Sequence, residues 1–237
     1  MIGVISSTLV PSLQPSHDGV RSNLDPALRL QQTVHTVRSL LSIGLREIYL
    51  ADNSAIAPDA EAIRQLEPAR VLHFGHYPYK NKGIAELFLL LDLCSSLPTE
   101  GPIMKISGRY TGEFNLCAKM GTADFAGRFN PNSGKAKNVS TRGYAVRNRS
   151  VFQAFLQGTL DTVYSSPWKI VGPRSFWNVT RNLWLGGPAN YSFSDPPFGI
   201  EIAAAAWLRR SGLRTQRLSE LGINGILGSW INPPVSE

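Results

Sequence analysis

Four short polar sets stand where apolar runs of the chain stop: Ser6-Ser7, Asp52-Asn53-Ser54, Asn81-Lys82-Gly83 and Lys105-Ile106-Ser107-Gly108-Arg109-Tyr110. Lys105 and the forked guanidinium of Arg109 are groups that stabilise phosphate oxygens. Asp52 is an acceptor-only carboxylate suited to a ribose hydroxyl or a base N–H; Asp52, Asn53 and Ser54 are equally the residue types that cap a helix before Pro58. Two further carboxylates, Asp195 and Glu201, are of the type that takes a proton from a hydroxyl. Asp195 precedes two prolines and also suits a turn, while Glu201 at a helix start is also expected from the helix dipole alone. His73 and His76 have no third ligand nearby in sequence, and Cys94 and Cys117 stand far apart with no Cys-x-x-Cys pair, so neither a metal site nor a disulfide framework is indicated.

The chain has 237 residues and a net charge of +7. From Lys105 to Arg149 nine basic residues face only Glu113 and Asp124, a surplus that equals the whole net charge. Such a surface attracts phosphates, whether of a nucleotide, a nucleic acid or a membrane headgroup; a solvated loop around Asn130 to Lys135 is the plainer alternative. With 43% hydrophobic and 17% charged residues, intrinsic disorder is disfavoured. The longest apolar run, Ile84 to Cys94, is interrupted by Glu86 and Asp92 and is shorter than the ~20 residues of a membrane span. The first residues lack the basic start of a secretory signal. These features imply a soluble, cytoplasmic protein, at most peripheral to a membrane.

The elements that hold the polar sets follow from periodicity. Ile2 to Ser7 reads as a strand and Ala27 to Ile43 as a helix, with Leu30, Val34, Val37 and Leu41 on one face and Arg29, Gln32 and Arg38 on the other. Glu47 to Ala51, Val71 to Phe74 and Pro102 to Ser107 read as strands. Short helices are expected over Pro58 to Leu66 and Gly83 to Leu93. This alternation predicts an α/β fold with a mostly parallel sheet flanked by helices, Rossmann-type, its ligand crevice beyond the strands' C-terminal ends. Past Tyr110 the pattern loosens; helices are expected over Arg149 to Gln157 and Phe198 to Arg210. We expect one domain over 1–237, with an elaborated C-terminal part.

The order of these features resembles the nucleotide-sugar-binding half of GT-A-type glycosyltransferases. The matching parts are the strand Ile2 to Ser7, the helix segment Gln32 to Leu41, the strand Glu47 to Ala51 ending in Asp52-Asn53-Ser54, and Asn81-Lys82-Gly83 leading into a helix. Many members carry a metal-holding Asp-x-Asp at the end of the fourth strand, where this chain has Lys105-Ile106-Ser107-Gly108-Arg109-Tyr110. The resemblance therefore implies a hexosyltransferase-like enzyme of polysaccharide biosynthesis without metal or other cofactor. Lys105 and Arg109 would stabilise the departing diphosphate; the competing expectation is that Lys105 pairs with a buried carboxylate and Arg109 braces a loop. It also implies donor contacts from Ser6, Asp52, Asn81 and Lys82 within residues 1–110, and an acceptor half over 111–237.

In that half, Glu201 or Asp195 would serve as base. Tyr110 and Trp177 would stack on a glycan or lipid-linked acceptor, with Trp168, Trp184, Trp207 and Trp230 open to the same use, to core packing or to anchoring at a membrane carrying the acceptor. Two other classes compete: a nucleotidyltransferase forming the activated sugar, for which a Gly-rich phosphate loop is missing, and a nucleic-acid binder, for which no recognisable motif is present. Nucleic acid is not an expected partner.

Overall fold

In a computed structural model, which describes residues 1–12, 25–130, 138–165, 173, 176–177, 180, 195–196, 198–225 and 235–236, the first part of the chain alternates as expected. It runs β1 (Ile2–Ser7), α1 (Pro26–Ser42), β2 (Glu47–Asp52), α2 (Ala60–Gln65), β3 (Arg70–His73), α3 (Lys82–Cys94) and β4 (Ile103–Ser107). Strands β3, β2, β1 and β4 lie side by side and parallel. Ser7 pairs in register with Asp52, Asp52 with His73, and Ser6 with Ser107. Parallel strands in this register bring their C-terminal ends to one edge, which is where an open α/β sheet forms its crevice.

The later elements are β5 (Tyr110–Gly112), α4 (Leu116–Lys119), β6 (Phe125–Asn130), β7 (Asn138–Val146), α5 (Arg149–Ser165), α6 (Ile200–Leu208), β8 (Thr215–Leu218), β9 (Ile223–Gly225) and β10 (Val235–Ser236). The main sheet has seven strands in the order β3-β2-β1-β4-β7-β6-β8, with β7 antiparallel to both neighbours and β8 parallel to β6. It is mostly parallel and flanked by helices, as the alternation predicts. A second sheet joins β10, β9 and β5.

Val4, Ile5, Leu50 and Ala51 are wholly buried, because β1 and β2 are covered on both faces. On one face α1 packs Val34, Val37 and Leu40 in a cluster with Ile5, Ile48 and Leu50. On the other, Leu87, Leu90 and Leu93 of α3 join Phe152, Phe155 and Leu156 of α5 and Ala203, Ala204 and Leu208 of α6. The Asp25 side chain caps α1 by accepting from Ala27 N, and Pro26 opens the helix without a missing donor. The short helix α2 is capped by Asp59, not by Asn53 or Ser54, which are both buried.

Two differences from the sequence expectations are physical. Helix α5 runs on to Ser165 instead of stopping near Gln157. At Gly158 a Cβ would lie 1.8 Å from the indole nitrogen of Trp207, so this glycine is a packing notch and not a helix end. Trp207 is thereby packed, partly buried, against the core, its ring edge-on to Phe155 at 6.0 Å. Strands β6 and β7 carry polar residues such as Arg128, Ser140, Thr141 and Arg142, which mask the two-residue alternation. No helix among the described residues is long and apolar enough to cross a membrane.

Candidate functional site

Helix α1 holds the crevice in shape. Thr33 Oγ1 donates to Gly108 O at 3.0 Å, and the Ser39 hydroxyl accepts from Gly112 N at 2.9 Å, so the helix docks the tight β4–β5 turn that carries Arg109. Gly108 N donates to Ser6 O at 2.8 Å. A Cβ on Gly108 would lie 2.9 Å from Ser7 Oγ, so only glycine lets the turn close against the end of β1.

The result is a cleft of about 270 Å³ lined by Ser6, Ser7, Thr8, Arg29, Thr33, Asn53, His76, Lys82, Glu86, Ser107 and Arg109, among others. A second cleft of about 340 Å³, lined by Asn81, Thr141, Phe198 and Glu201, shares Lys82 and Glu86 with the first. A third of about 210 Å³, with Arg128, Asn138 and Arg142, shares Thr141 and Glu201 with the second.

The first cleft contains a cation that the sequence reading leaves on a solvent face. Arg29 is 8% exposed, with one amino group donating to Thr8 O. Its Nε is buried and has no hydrogen-bond partner among the described residues. Burial and the facing charge of Arg109, against the pull of Asp52, bring its guanidinium down to about 10, still cationic at neutral pH. The half-buried Arg109 guanidinium has neither hydrogen bond nor ion pair among the described residues. A buried donor without a partner costs about 1–3 kcal/mol, more when charged, so an anion bound here would satisfy the pair.

Lys105 behaves differently, and the expectation that it meets a diphosphate is corrected. It is 1% exposed, and its ammonium donates to Glu86 Oε1 at 2.6 Å, Thr141 O at 2.6 Å and Ser107 Oγ at 3.0 Å. Three protons meet three acceptors, so nothing is left for a ligand. Glu86 Oε1 also accepts from Ser6 Oγ at 2.6 Å. Burial pushes the Glu86 carboxyl up, but the charge and hydrogen bond of Lys105, the Ser6 hydroxyl and the charge of Arg109 outweigh it, holding the group below the usual carboxylate range.

Asp52 is likewise not available to a ribose. It is fully buried; Oδ1 accepts from Leu9 N (3.0 Å) and Ser54 Oγ (2.7 Å), and Oδ2 faces His73 Nδ1 (2.9 Å) and Ser54 N (3.3 Å). All four lone-pair sites face partners from the ends of three neighbouring strands, Leu9, Ser54 and His73. Asp195 is committed too: its oxygens accept from Lys80 N at 2.6 Å and Asn81 N at 3.0 Å, tying residue 195 to the start of α3. Asn81 caps α3 through Gly83 N and Ile84 N and donates to Pro196 O (2.8 Å) and Phe198 O (3.0 Å), so its role is to hold the second cleft's wall. Tyr110 is 2% exposed in the core, with Arg142 5.9 Å from its ring centre, and offers no face to an acceptor.

Of the remaining expected residues, Ser6, Lys82 and Arg109 meet in the first cleft, and Lys82 and Glu201 in the second. Glu201 Oε1 accepts a long bond of 3.4 Å from Thr141 Oγ1. Trp177 is 67% exposed and lines none of these clefts. Trp168, Trp184 and Trp230 lie outside the described residues. His73 turns to Asp52 while His76 lines the first cleft, and no group of three or more metal-ligating side chains gathers among the described residues. Cys94 and Cys117 are buried free thiols.

No protein-family model matches the chain, and no curated protein matches it significantly. Among solved structures, an active-site mutant of LgtC aligns at 7% identity over 97% of this chain and 88% of that one, with a TM-score of 0.49. The galactosyltransferase LgtC in complex with donor and acceptor sugar analogs aligns at 8% identity over 94% and 86%, at 0.47. A nucleoside-diphosphate-sugar pyrophosphorylase from Vibrio cholerae RC9 aligns at 10% identity over 94% of each chain, at 0.49. Likenesses of this size say nothing by themselves about the reaction or the ligand.

Proposed function

We propose that this protein is a glycosyltransferase that moves a sugar from a nucleotide-sugar donor to a glycan or lipid-linked acceptor without a divalent metal. The observation that carries the reading is the guanidinium pair Arg29 and Arg109, neither of them in a salt bridge among the described residues, in the crevice at the C-terminal ends of β1 and β4. Two fixed cations serve the diphosphate both on binding and as charge grows on it in the transition state. Lys82, exposed at the joint of the first two clefts, adds a third.

The bond from the sugar's anomeric carbon to the diphosphate oxygen breaks with its electron pair going to the diphosphate. The acceptor oxygen forms the new bond to that carbon, and in an inverting transfer Glu201 takes the proton this oxygen loses. The lining of the first cleft comes wholly from residues 6–109 and that of the third from residues 128–201, which supports a donor half over 1–110 and an acceptor half over 111–237.

A thermal-shift panel of UDP-, GDP-, CMP- and dTDP-sugars with and without EDTA tests this. Stabilisation by one nucleotide class regardless of chelator is the expected result; stabilisation only with added manganese would refute metal independence, and none at all would refute the donor reading. A salt titration separates the nucleic-acid alternative, whose affinity would collapse with ionic strength.

A further inference from the structure

Glu86 enters none of the roles above, yet it stands where the first two clefts meet and lines both. Its two oxygens are in unlike situations. Oε1 takes both hydrogen bonds, from Ser6 Oγ and Lys105 Nζ, each at 2.6 Å. Oε2 accepts nothing among the described residues, although the side chain is only 24% exposed. Its neighbours Ala85 and Leu87 are buried in the core, so the helix fixes its position.

We infer that Glu86 Oε2 accepts a hydroxyl of the sugar being transferred and thereby selects donors whose sugar is neutral at that position over donors carrying a carboxylate there. This rests on the nucleotide-sugar reading above. A donor whose diphosphate lies on Arg29 and Arg109 must project its sugar along the cleft; on the way to Glu201 and the second cleft it passes Glu86. A carboxylate is acceptor-only, so a hydroxyl there gains a charge-assisted hydrogen bond while a second carboxylate meets like charge in a partly desolvated place. The group is ionised at neutral pH and its basicity is reduced by Lys105, which suits binding a hydroxyl better than removing its proton. As mere counter-ion to Lys105, Glu86 would leave sugar recognition untouched.

The test is calorimetric titration of wild type and Glu86→Gln with UDP against UDP-glucose, GDP against GDP-mannose, and UDP-glucuronate. The Glu86→Gln variant should bind the free diphosphates within about twofold of wild type but the neutral sugar conjugates about 10- to 100-fold more weakly, the range of a hydrogen bond to a charged group. Its preference for UDP-glucose over UDP-glucuronate should narrow. Equal losses for free and sugar-bearing nucleotides, or no loss for either, would overturn the role of Glu86. Should the single variant fail to fold with Lys105 unpaired, Lys105→Met/Glu86→Gln is titrated in its place, with the same two outcomes. Where the thermal-shift panel selects a CMP- or dTDP-sugar, that nucleotide and its sugar conjugates take the place of the UDP and GDP ligands; wild type that binds no nucleotide sugar of the panel would instead overturn the donor reading, and this inference with it.

Discussion

Two cations stand in or beside one crevice and are treated oppositely by the fold. Lys105, 1% exposed on β4, has three acceptors for three protons, with Glu86 cancelling its charge. Arg29, 8% exposed on α1, has a carbonyl for one amino group, nothing among the described residues for Nε and the like charge of Arg109 across the cleft. Burial is nearly equal, so burial does not tell the two apart. Saturation does: a buried ion whose protons are all accepted has nothing left for a ligand, whereas an unsatisfied one is retained at a cost that a ligand relieves.

The largest effect expected from this contrast is on Lys105→Met, which leaves the Glu86 carboxylate without its cation. Denaturant unfolding should show a loss of about 3–5 kcal/mol, most of it recovered in Lys105→Met/Glu86→Leu, since a buried pair replaced by apolar groups is often neutral. A near-neutral single variant would mean that the pair is not what holds β4 to α3. Next in size, Arg109→Ala should weaken binding of a nucleoside diphosphate by about 10- to 100-fold while barely moving the unfolding midpoint, because that guanidinium makes no hydrogen bond or ion pair within the described fold.

For Arg29→Met the sign should reverse. The melting temperature of the unliganded protein should hold or rise, at roughly 2–4 °C per kcal/mol for a chain of this size, as an unpaired buried charge is removed. A sharp fall would put Arg29 with Lys105 among the structural ions.

The smallest effect belongs to Asp124, an ion cluster remote from the crevice that calibrates the comparison. Its carboxylate takes hydrogen bonds from Arg214 and from Arg147 Nε at 2.8 Å, and those from the Arg214 side chain and backbone hold it below the usual aspartate value. Its folded value is depressed, so its contribution is complete above the unfolded value and is lost as pH falls through the folded one. Glu86, also depressed, adds in the same direction. Asp124→Asn should remove under about 1 kcal/mol of the acid-side slope in pH-dependent melting.

Much of the frame was legible in the sequence because the first 107 residues obey clean periods. Strands β1 to β4 and helices α1 and α3 fall within a residue or two of their expected bounds, and the crevice follows from parallel order alone. The site was only partly legible. Ser6, Lys82, Arg109 and Glu201 line the clefts, but Asp52, Lys105, Tyr110 and Asp195 are spent internally. Residue type does not reveal whether a lone pair or a proton is already used.

Arg29 and Glu86 were missed for a related reason. The periodicity of α1 sets Arg29 on the polar face, yet Arg29, Thr33, Thr36 and Leu40 form one buried stripe that is polar at the crevice end and apolar at the other. Glu86 was visible as the acid that breaks the apolar run of α3, and a charge inside such a run needs a cation nearby. Lys105 is that cation.

The central claim is that Arg29 and Arg109 read a diphosphate. The most direct measurement is calorimetric titration of wild type and Arg29→Met, in EDTA, with a nucleoside diphosphate and the matching monophosphate. Wild type should prefer the diphosphate, and Arg29→Met should lose that preference by about 10- to 100-fold with little change toward the monophosphate. An unchanged diphosphate-to-monophosphate ratio in the variant would contradict the account.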